Sequence, residues 1–235
     1  MKFNEKKCYV MRIHQARSPQ IHCYTLNKCV LQETTCYGYL GVDISNNLKW
    51  NNHIQRITAK ASRILGFVRR NLKPCSQSIK LIAYNTLVRP ILEYSAAIWD
   101  PHAQVLIDKL ESIQRRAIRF IKNDYSTYHS VSVMMSELGI KPLSIRRKIA
   151  RLTNFHKARV GHLAIPIHDI LRPVMRFSRH SNINSYIQIS AKKNSYLNSF
   201  LPNTTRDWNQ LPVNITSIQK PKLFQQAIIK HYLNN

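Results

Sequence analysis

From Asn51 onward apolar residues recur every three or four positions, and this period sets the fold class. Ile54, Ile57, Ala61, Ile64, Leu65 and Val68 fall on one side of a helix that runs to about Asn71. A second helix is expected from Ser76, an N-cap residue type, with Ile79, Ile82, Ala83 and Leu87 as its apolar residues, and Arg89-Pro90 breaks or kinks it. The apolar run Ile91–Trp99 reads as core. Asp100-Pro101 has the form of a helix start, a cap followed by proline, and the helix after it turns Val105, Leu106, Leu110, Ile113, Ala117, Ile118 and Ile121 inward. Ser130–Leu138 predicts a short helix closed by Gly139. Leu143–Val160, with Ile145, Ile149, Leu152 and Phe155 on one face, stops at Gly161 in the C′ position. Residues 178–200 are rich in Asn and Ser and are expected as loop or irregular strand. A final amphipathic helix over Lys222–Leu233 carries Leu223, Phe224, Ala227, Ile228 and Tyr232. With five glycines in 235 residues, a hairpin-rich all-β fold is disfavoured and the expected class is mainly α.

The first 45 residues have a different period. Cys8–Ile13, Ile21–Leu26 and Tyr37–Ile44 are rich in β-branched and aromatic residues and read as short strands, with turns at Gln15–Gln20 and Asn27–Lys28. Three such strands make a poor sheet alone, so they are expected to be the antiparallel edge of something larger. Four cysteines, Cys8, Cys23, Cys29 and Cys36, lie here without a C-x-x-C pair. They read as buried free thiols rather than as a zinc site with His14 and His22.

Charge narrows the function. Thirty-six Lys and Arg against eleven Asp and Glu give a formal charge of +25, and so one-signed a surface calls for a polyanionic partner, nucleic acid in the first place. No stretch is long and apolar enough to span a membrane, and no basic segment has the Trp/Phe-rich apolar face of a lipid-surface helix. The chain opens without an apolar signal core, which predicts an intracellular protein of nucleus or cytoplasm. No acid occurs between Asp43 and Glu93, so the cations in and around the first helix (Lys49, Arg56, Lys60, Arg63, Arg69, Arg70 and Lys73) are expected to face phosphates. The interval from Glu137 to Asp207 holds thirteen basic residues, including Arg146, Arg147, Lys148 and Arg151, with Asp169 as its one acid.

The acids are too dispersed for two-metal chemistry, which needs carboxylates converging on Mg²⁺. Asp108 and Glu111 form the closest pair, at i,i+3, and read as two exposed charges facing Arg115 and Arg116. Motifs for nucleophilic hydrolysis, zinc proteolysis and P-loop phosphate binding are absent. No catalytic residue and no metal ligand is therefore assigned.

Six ordered blocks resemble one family. Phe3-Asn4 with Lys7-Cys8 is similar to an F-N-x-x-K-C block, and Tyr39-Leu40-Gly41-Val42 to a Y-L-G-V block. Leu48, Trp50, His53-Ile54, Lys60-Ala61 and Leu65-Gly66 follow an L-x-W-x-x-H-I … K-A … L-G pattern. Next, Tyr84, Leu87-Val88-Arg89-Pro90, Leu92-Glu93-Tyr94 and Trp99-Asp100-Pro101 match an L-V-R-P-x-L-E-Y … W-D-P signature. Leu110-Glu111, Gln114-Arg115-Arg116-Ala117 and Arg119-Phe120 match L-E-x-x-Q-R-R-A-x-R-F. Ser199-Phe200, Pro202, Trp208-Asn209 and Leu211-Pro212 match S-F-x-P … W-N-x-L-P. Together the chain resembles the C-terminal part of a reverse transcriptase from a non-LTR, LINE-type (jockey- or CR1-like) retrotransposon.

The resemblance implies three regions: a palm-edge β remnant with a primer-grip-like turn over 1–47, a thumb-like helical region over 48–125 and a helical C-terminal extension over 126–235. It implies RNA-directed DNA synthesis, with Mg²⁺ expected for the intact polymerase and no cofactor held by this chain. The catalytic aspartates of the palm, and an endonuclease domain beyond them, are expected upstream of residue 1. In this chain the resemblance puts Lys7 near an incoming triphosphate and Tyr39, Leu40 and Gly41 at the primer end. Arg56, Lys60, Arg63 and Arg70 are then set along the template–primer backbone of an RNA–DNA hybrid. Trp99 and Trp208 read as core anchors. The alternative is a non-catalytic basic helical module that binds RNA or DNA, or a decayed transposon remnant without activity.

Overall fold

The computed structural model describes residues 4–14, 17, 20–175 and 183–233. The protein is mainly helical, with a few short strands near the N-terminus. It divides into two compact units, residues 1–56 and 57–235. No boundary falls at 125/126, because helices from both sides of that position pack together within the second unit.

Among the described residues of the first unit six strands pair two by two: β1 (Tyr9–Val10), β2 (Thr25–Leu26), β3 (Cys29–Val30), β4 (Gln32–Glu33), β5 (Cys36–Tyr39) and β6 (Val42–Ser45). Two pairs are antiparallel hairpins, but β1 runs parallel to β4, with Tyr9 opposite Gln32. Asn27 and Lys28, at φ +49° and +68°, form the first hairpin turn, as the sequence predicts. Both residues lie in the left-handed region that two-residue type I′ turns require. The expected single strand over Tyr37–Ile44 is corrected to a hairpin. Leu40 and Gly41, at φ +46° and +82°, fold it back so that Tyr39 faces Val42. The other two expected strands shrink to two residues each, and residues 15, 16, 18 and 19 of the expected first turn lie outside the described residues. None of the five thiols is buried; Cys23 and Cys29 are exposed, which corrects that reading. A 21-residue helix, α1 (Asn51–Asn71), begins in this unit and continues into the second. Its bounds are those of the sequence period, and Ile54, Ile57, Ala61, Leu65 and Val68 are buried.

The second unit continues with α2 (Gln77–Ala83), a π-helical turn over Tyr84–Val88, α3 (Arg89–Glu93), α4 (Ala96–Trp99) and α5 (Gln104–Lys122). Val88 and Arg89 keep helical backbone angles, so the helical run continues through Pro90 instead of breaking there, with the π turn lying just before the residue that lacks an N–H. The apolar residues of α2 do not mark its inward face. Lys80, Ala83, Tyr84, Val88 and Leu92 are buried, whereas Ile79, Ile82 and Leu87 are exposed. Four-residue spacing drifts by about 40° per step on a 3.6-residue helix; the wider π turn absorbs that drift and carries Tyr84 and Val88 to the core side. The buried Lys80 ammonium lies 4.9 Å from the centroid of the Phe120 ring. Asp100 starts no helix: it follows the last residue of α4, α5 starts at Gln104, Val105 is 68 % exposed, and the Asp100 carboxylate is used elsewhere.

Beyond α5 lie α6 (Val131–Glu137), α7 (Leu143–Arg159), α8 (Ile167–Ile170), α9 (Asn194–Leu197), α10 (Phe200–Asn209), α11 (Val213–Thr216) and α12 (Pro221–Leu233). Gly139 and Gly161 stand at φ +63° and +78°, where a Cβ would be strained, and they terminate α6 and α7 as expected. Within 178–200, residues 178–182 lie outside the described residues; the remainder holds α9 and otherwise little regular structure beyond a single bridge from Tyr186 to Pro173. The core of this half gathers Phe155, Trp208 and Phe224, with ring centroids 5.1 Å apart for Phe155–Trp208 and 5.6 Å for Trp208–Phe224. Trp99 and Trp208 are both fully buried, and their indole N–H groups donate to the carbonyls of Tyr94 and Asn184.

Helix α7 is the strut of the second unit, touching α3, α4, α5, α8, α10 and α12. Its N-terminal amides are capped from a distance: the Glu111 carboxylate accepts from the backbone N–H of Leu143 at 3.2 Å and of Ser144 at 2.8 Å. Glu111 is thus no exposed partner of Arg115, and Asp108 accepts from the side chain of Gln104 instead.

Candidate nucleic-acid interface

Along the part of α1 in the second unit, Lys60, Arg63, Phe67 and Arg70 follow one another at steps of three, four and three residues. That spacing puts them on one face of the helix, about opposite the buried Ile57, Ala61, Leu65 and Val68. Lys60, Arg63 and Arg70 are exposed, and none has a carboxylate partner among the described residues. Phe67, in their midst, is 54 % exposed. The Arg70 guanidinium lies back over Gly66, within 3.5 Å of where a Cβ would stand. Arg69 leaves this face, with its guanidinium 5.7 Å from the Tyr125 ring centroid. Three unpaired cations and an exposed ring on a rigid rod can contact backbone phosphates and an apolar sugar or base surface together. Sequence reading found the cations but missed Phe67. The signal was its place, out of phase with the apolar stripe.

The other expected site residues belong to the first unit. Lys7 lies exposed in a 3₁₀ turn over Glu5–Lys7. With Tyr39, Tyr37 and Tyr9 it lines a cavity of ≈ 410 Å³, so the structure brings Lys7 and Tyr39 to one concave surface. Tyr9 and Tyr37 hold each other with ring centroids 5.7 Å apart. Leu40 projects at the hairpin tip, 75 % exposed, beside Gly41.

Arg56 is not a free cation. Its Nε donates to the Asp43 carboxylate at 2.5 Å and its Nη2 to the Gly41 carbonyl at 2.8 Å, so it pins the hairpin turn to the start of α1. Beside it, the buried His53 accepts the Asp43 backbone N–H on Nδ1, which leaves its proton on Nε2. Burial pushes the His53 pKa down, against the opposing pull of Asp43.

Helix α7, by contrast, uses its charges internally. Arg146 forms a two-pronged pair with Glu93, which holds its guanidinium charge still more firmly. The Nε of Arg147 lies 2.7 Å from Asp100, and Arg151 reaches Asp100 and Asp207 at 2.8 Å each. Lys148 lies 3.0 Å from the other oxygen of Asp207. Arg147 and Arg151 are themselves buried. They are therefore withdrawn from the surface, and the partly exposed Arg146 and Lys148 are paired with Glu93 and Asp207. Among the described residues no group of three or more His, Cys, Asp or Glu could hold a metal, and the acids that do converge are neutralised by Arg and Lys.

The fold and this distribution of charge define a mainly helical protein with an exposed, carboxylate-free basic helix face, and no described helix is long and apolar enough to cross a membrane. No protein-family model matches the chain, and no curated protein or solved structure gives a significant match to it.

Proposed function

We propose that the chain grips template–primer nucleic acid, an RNA–DNA hybrid in the first place, as the post-palm and thumb part of a non-LTR retrotransposon reverse transcriptase. The observation that carries this reading is the outward face of α1, where Lys60, Arg63 and Arg70 stand without carboxylate partners at helical spacing. The ordered motif blocks support it independently, and so does the shared surface of Lys7 and Tyr39, at the positions where the resemblance puts triphosphate and primer end. Chemistry is the task of a palm that supplies the metal-binding aspartates; the part of this chain is to hold the duplex by its backbone.

Binding of a labelled RNA–DNA hybrid at several salt concentrations tests this. Affinity should fall steeply with salt. In an Arg63→Glu/Arg70→Glu variant it should fall on the order of tenfold or more, with the salt slope reduced by about two. Equal affinity and slope in wild type and variant would remove the assignment. Preference for hybrid over single-stranded RNA and duplex DNA separates the polymerase-derived reading from a general basic module.

A further inference from the structure

The outward face of α1 carries two neighbouring residues that its cations do not account for. Arg63, Gly66, Phe67 and Arg70 stand at i, i+3, i+4 and i+7, so they share that face. About 10.5 Å of helix rise separates the two arginines, and the glycine and the ring lie side by side between them. Phe67 stands off the buried stripe of Ala61, Leu65 and Val68 and keeps more than half of its surface in water. A large ring left wet on a rigid helix forgoes the burial that would stabilise it.

Gly66 is unexpected for a different reason. Glycine inside a helix is disfavoured against alanine, because it gives up more backbone freedom on folding and brings no side chain to pack. Crowding within the fold would justify it, but a Cβ at this partly exposed position would meet Arg70 Nη1 alone, at 3.5 Å, an ordinary contact with the far end of a flexible side chain. Packing among the described residues therefore does not require the glycine. What a bare position offers instead is close approach of a partner to the helix backbone.

The charge around the pair says what approaches. Lys60, Arg63 and Arg70 flank it without a carboxylate partner among the described residues, which selects a polyanion over an apolar protein surface. A nucleic-acid strand answers both parts of the face. Its phosphates match the guanidinium groups, and the sugars between them offer an apolar surface that a ring can cover.

We propose that Gly66 and Phe67 seat one sugar–phosphate strand of the hybrid against α1. The strand crosses the helix at Gly66, the Phe67 ring packs on its sugars, and Arg63 and Arg70 hold the phosphates on either side. This rests on the function proposed above and adds to it an apolar contact that salt does not screen.

Binding of the labelled hybrid to variants of the full chain, over a series of salt concentrations, tests it. Phe67→Ala should weaken binding by about tenfold at every salt concentration and leave the salt slope as in wild type, and Phe67→Tyr should bind as wild type does. Gly66→Ala should raise the urea unfolding midpoint, since alanine is the better helix former, and still weaken binding by about fivefold or more. A variant that is more stable yet binds less cannot owe that loss to damaged folding. Wild-type affinity in Phe67→Ala or in Gly66→Ala overturns the proposal, as does a reduced salt slope in Phe67→Ala. Where Arg63→Glu/Arg70→Glu loses binding and these two variants keep it, the grip by α1 stands and this contact alone falls. Absence of salt-dependent binding by the wild-type chain removes the grip itself.

Discussion

Helices α1 and α7 look alike as strings of letters, since both interleave Arg and Lys with an apolar period. In the fold they use that charge in opposite ways. On α1, Lys60, Arg63 and Arg70 face solvent without carboxylates. On α7, Arg146, Arg147, Lys148 and Arg151 are spent on Glu93, Asp100 and Asp207, and two of the four are buried. The count of positive residues is therefore a poor measure of what a partner meets. What decides is whether the scarce acids lie within reach, and in this chain they converge on α7.

The largest way to break the contrast is to remove an acid from the α7 network. Asp100→Ala leaves Arg147 without its one carboxylate partner among the described residues, and Arg151 with Asp207 and the Thr204 hydroxyl. Breaking a buried pair from one side is expected to cost about 3–5 kcal/mol, read from the urea unfolding midpoint. A midpoint near wild type would mean that water supports these guanidinium groups as well as Asp100 does.

Acid should act next, and on the same helix. His156 of α7 is fully buried, stacked on Phe224 with centroids 4.1 Å apart, and its Nε2 donates to the Ile218 carbonyl at 2.6 Å. Burial lowers its pKa, as it does that of His53, so both stay neutral in the folded chain at a pH where the unfolded chain takes up protons. A depressed histidine contributes stability that is fully present above its ordinary pKa of 6.5 and is lost as pH falls below it toward the folded value. The urea midpoint should accordingly drop between about pH 7 and about pH 5. The drop should be smaller in His156→Gln, and an undiminished one would shift the effect to His53.

A smaller effect is expected at the end of α7. Gly161→Ala puts a Cβ on a residue at φ +78°, with open space around it, so strain alone decides and the cost should be about 1–2 kcal/mol. The smallest effect sharpens the comparison from the other side. Arg63→Glu/Arg70→Glu should leave the unfolding midpoint unchanged, because exposed, unpaired charges contribute little to folding. A marked loss of stability there would mean that α1, like α7, spends its charge internally.

Local features were legible and distant ones were not. The limits of α1, the glycine stops after α6 and α7, the Asn27-Lys28 turn and the burial of both tryptophans all follow from residues within a few positions of each other. The fate of Asp100 does not. Its proximity to Pro101 imitates a helix start, while the arginine that claims it lies 47 residues away. Arg56 is a similar case: its spacing on α1 suggests a phosphate contact, and only the hairpin brings Asp43 and the Gly41 carbonyl to it. Ile79 and Ile82 do not mark the buried face, because the π turn rotates the face of α2 by an amount that no single-period pattern contains. Of the candidate interface, the cations of α1 were readable from the absence of acids between Asp43 and Glu93. The joint cavity of Lys7 and Tyr39 depends on strand pairing across more than twenty residues.

The double claim of Arg151 on Asp100 and Asp207 has a bearing on how the chain is made. A ribosome delivers α7 well before it delivers Asp207, which follows Arg151 by 56 residues. Until that acid emerges, Lys148 has no counter-charge and Arg151 has half of its final complement, so the nascent segment must wait, open to a chaperone or a protease, for its last third to close it.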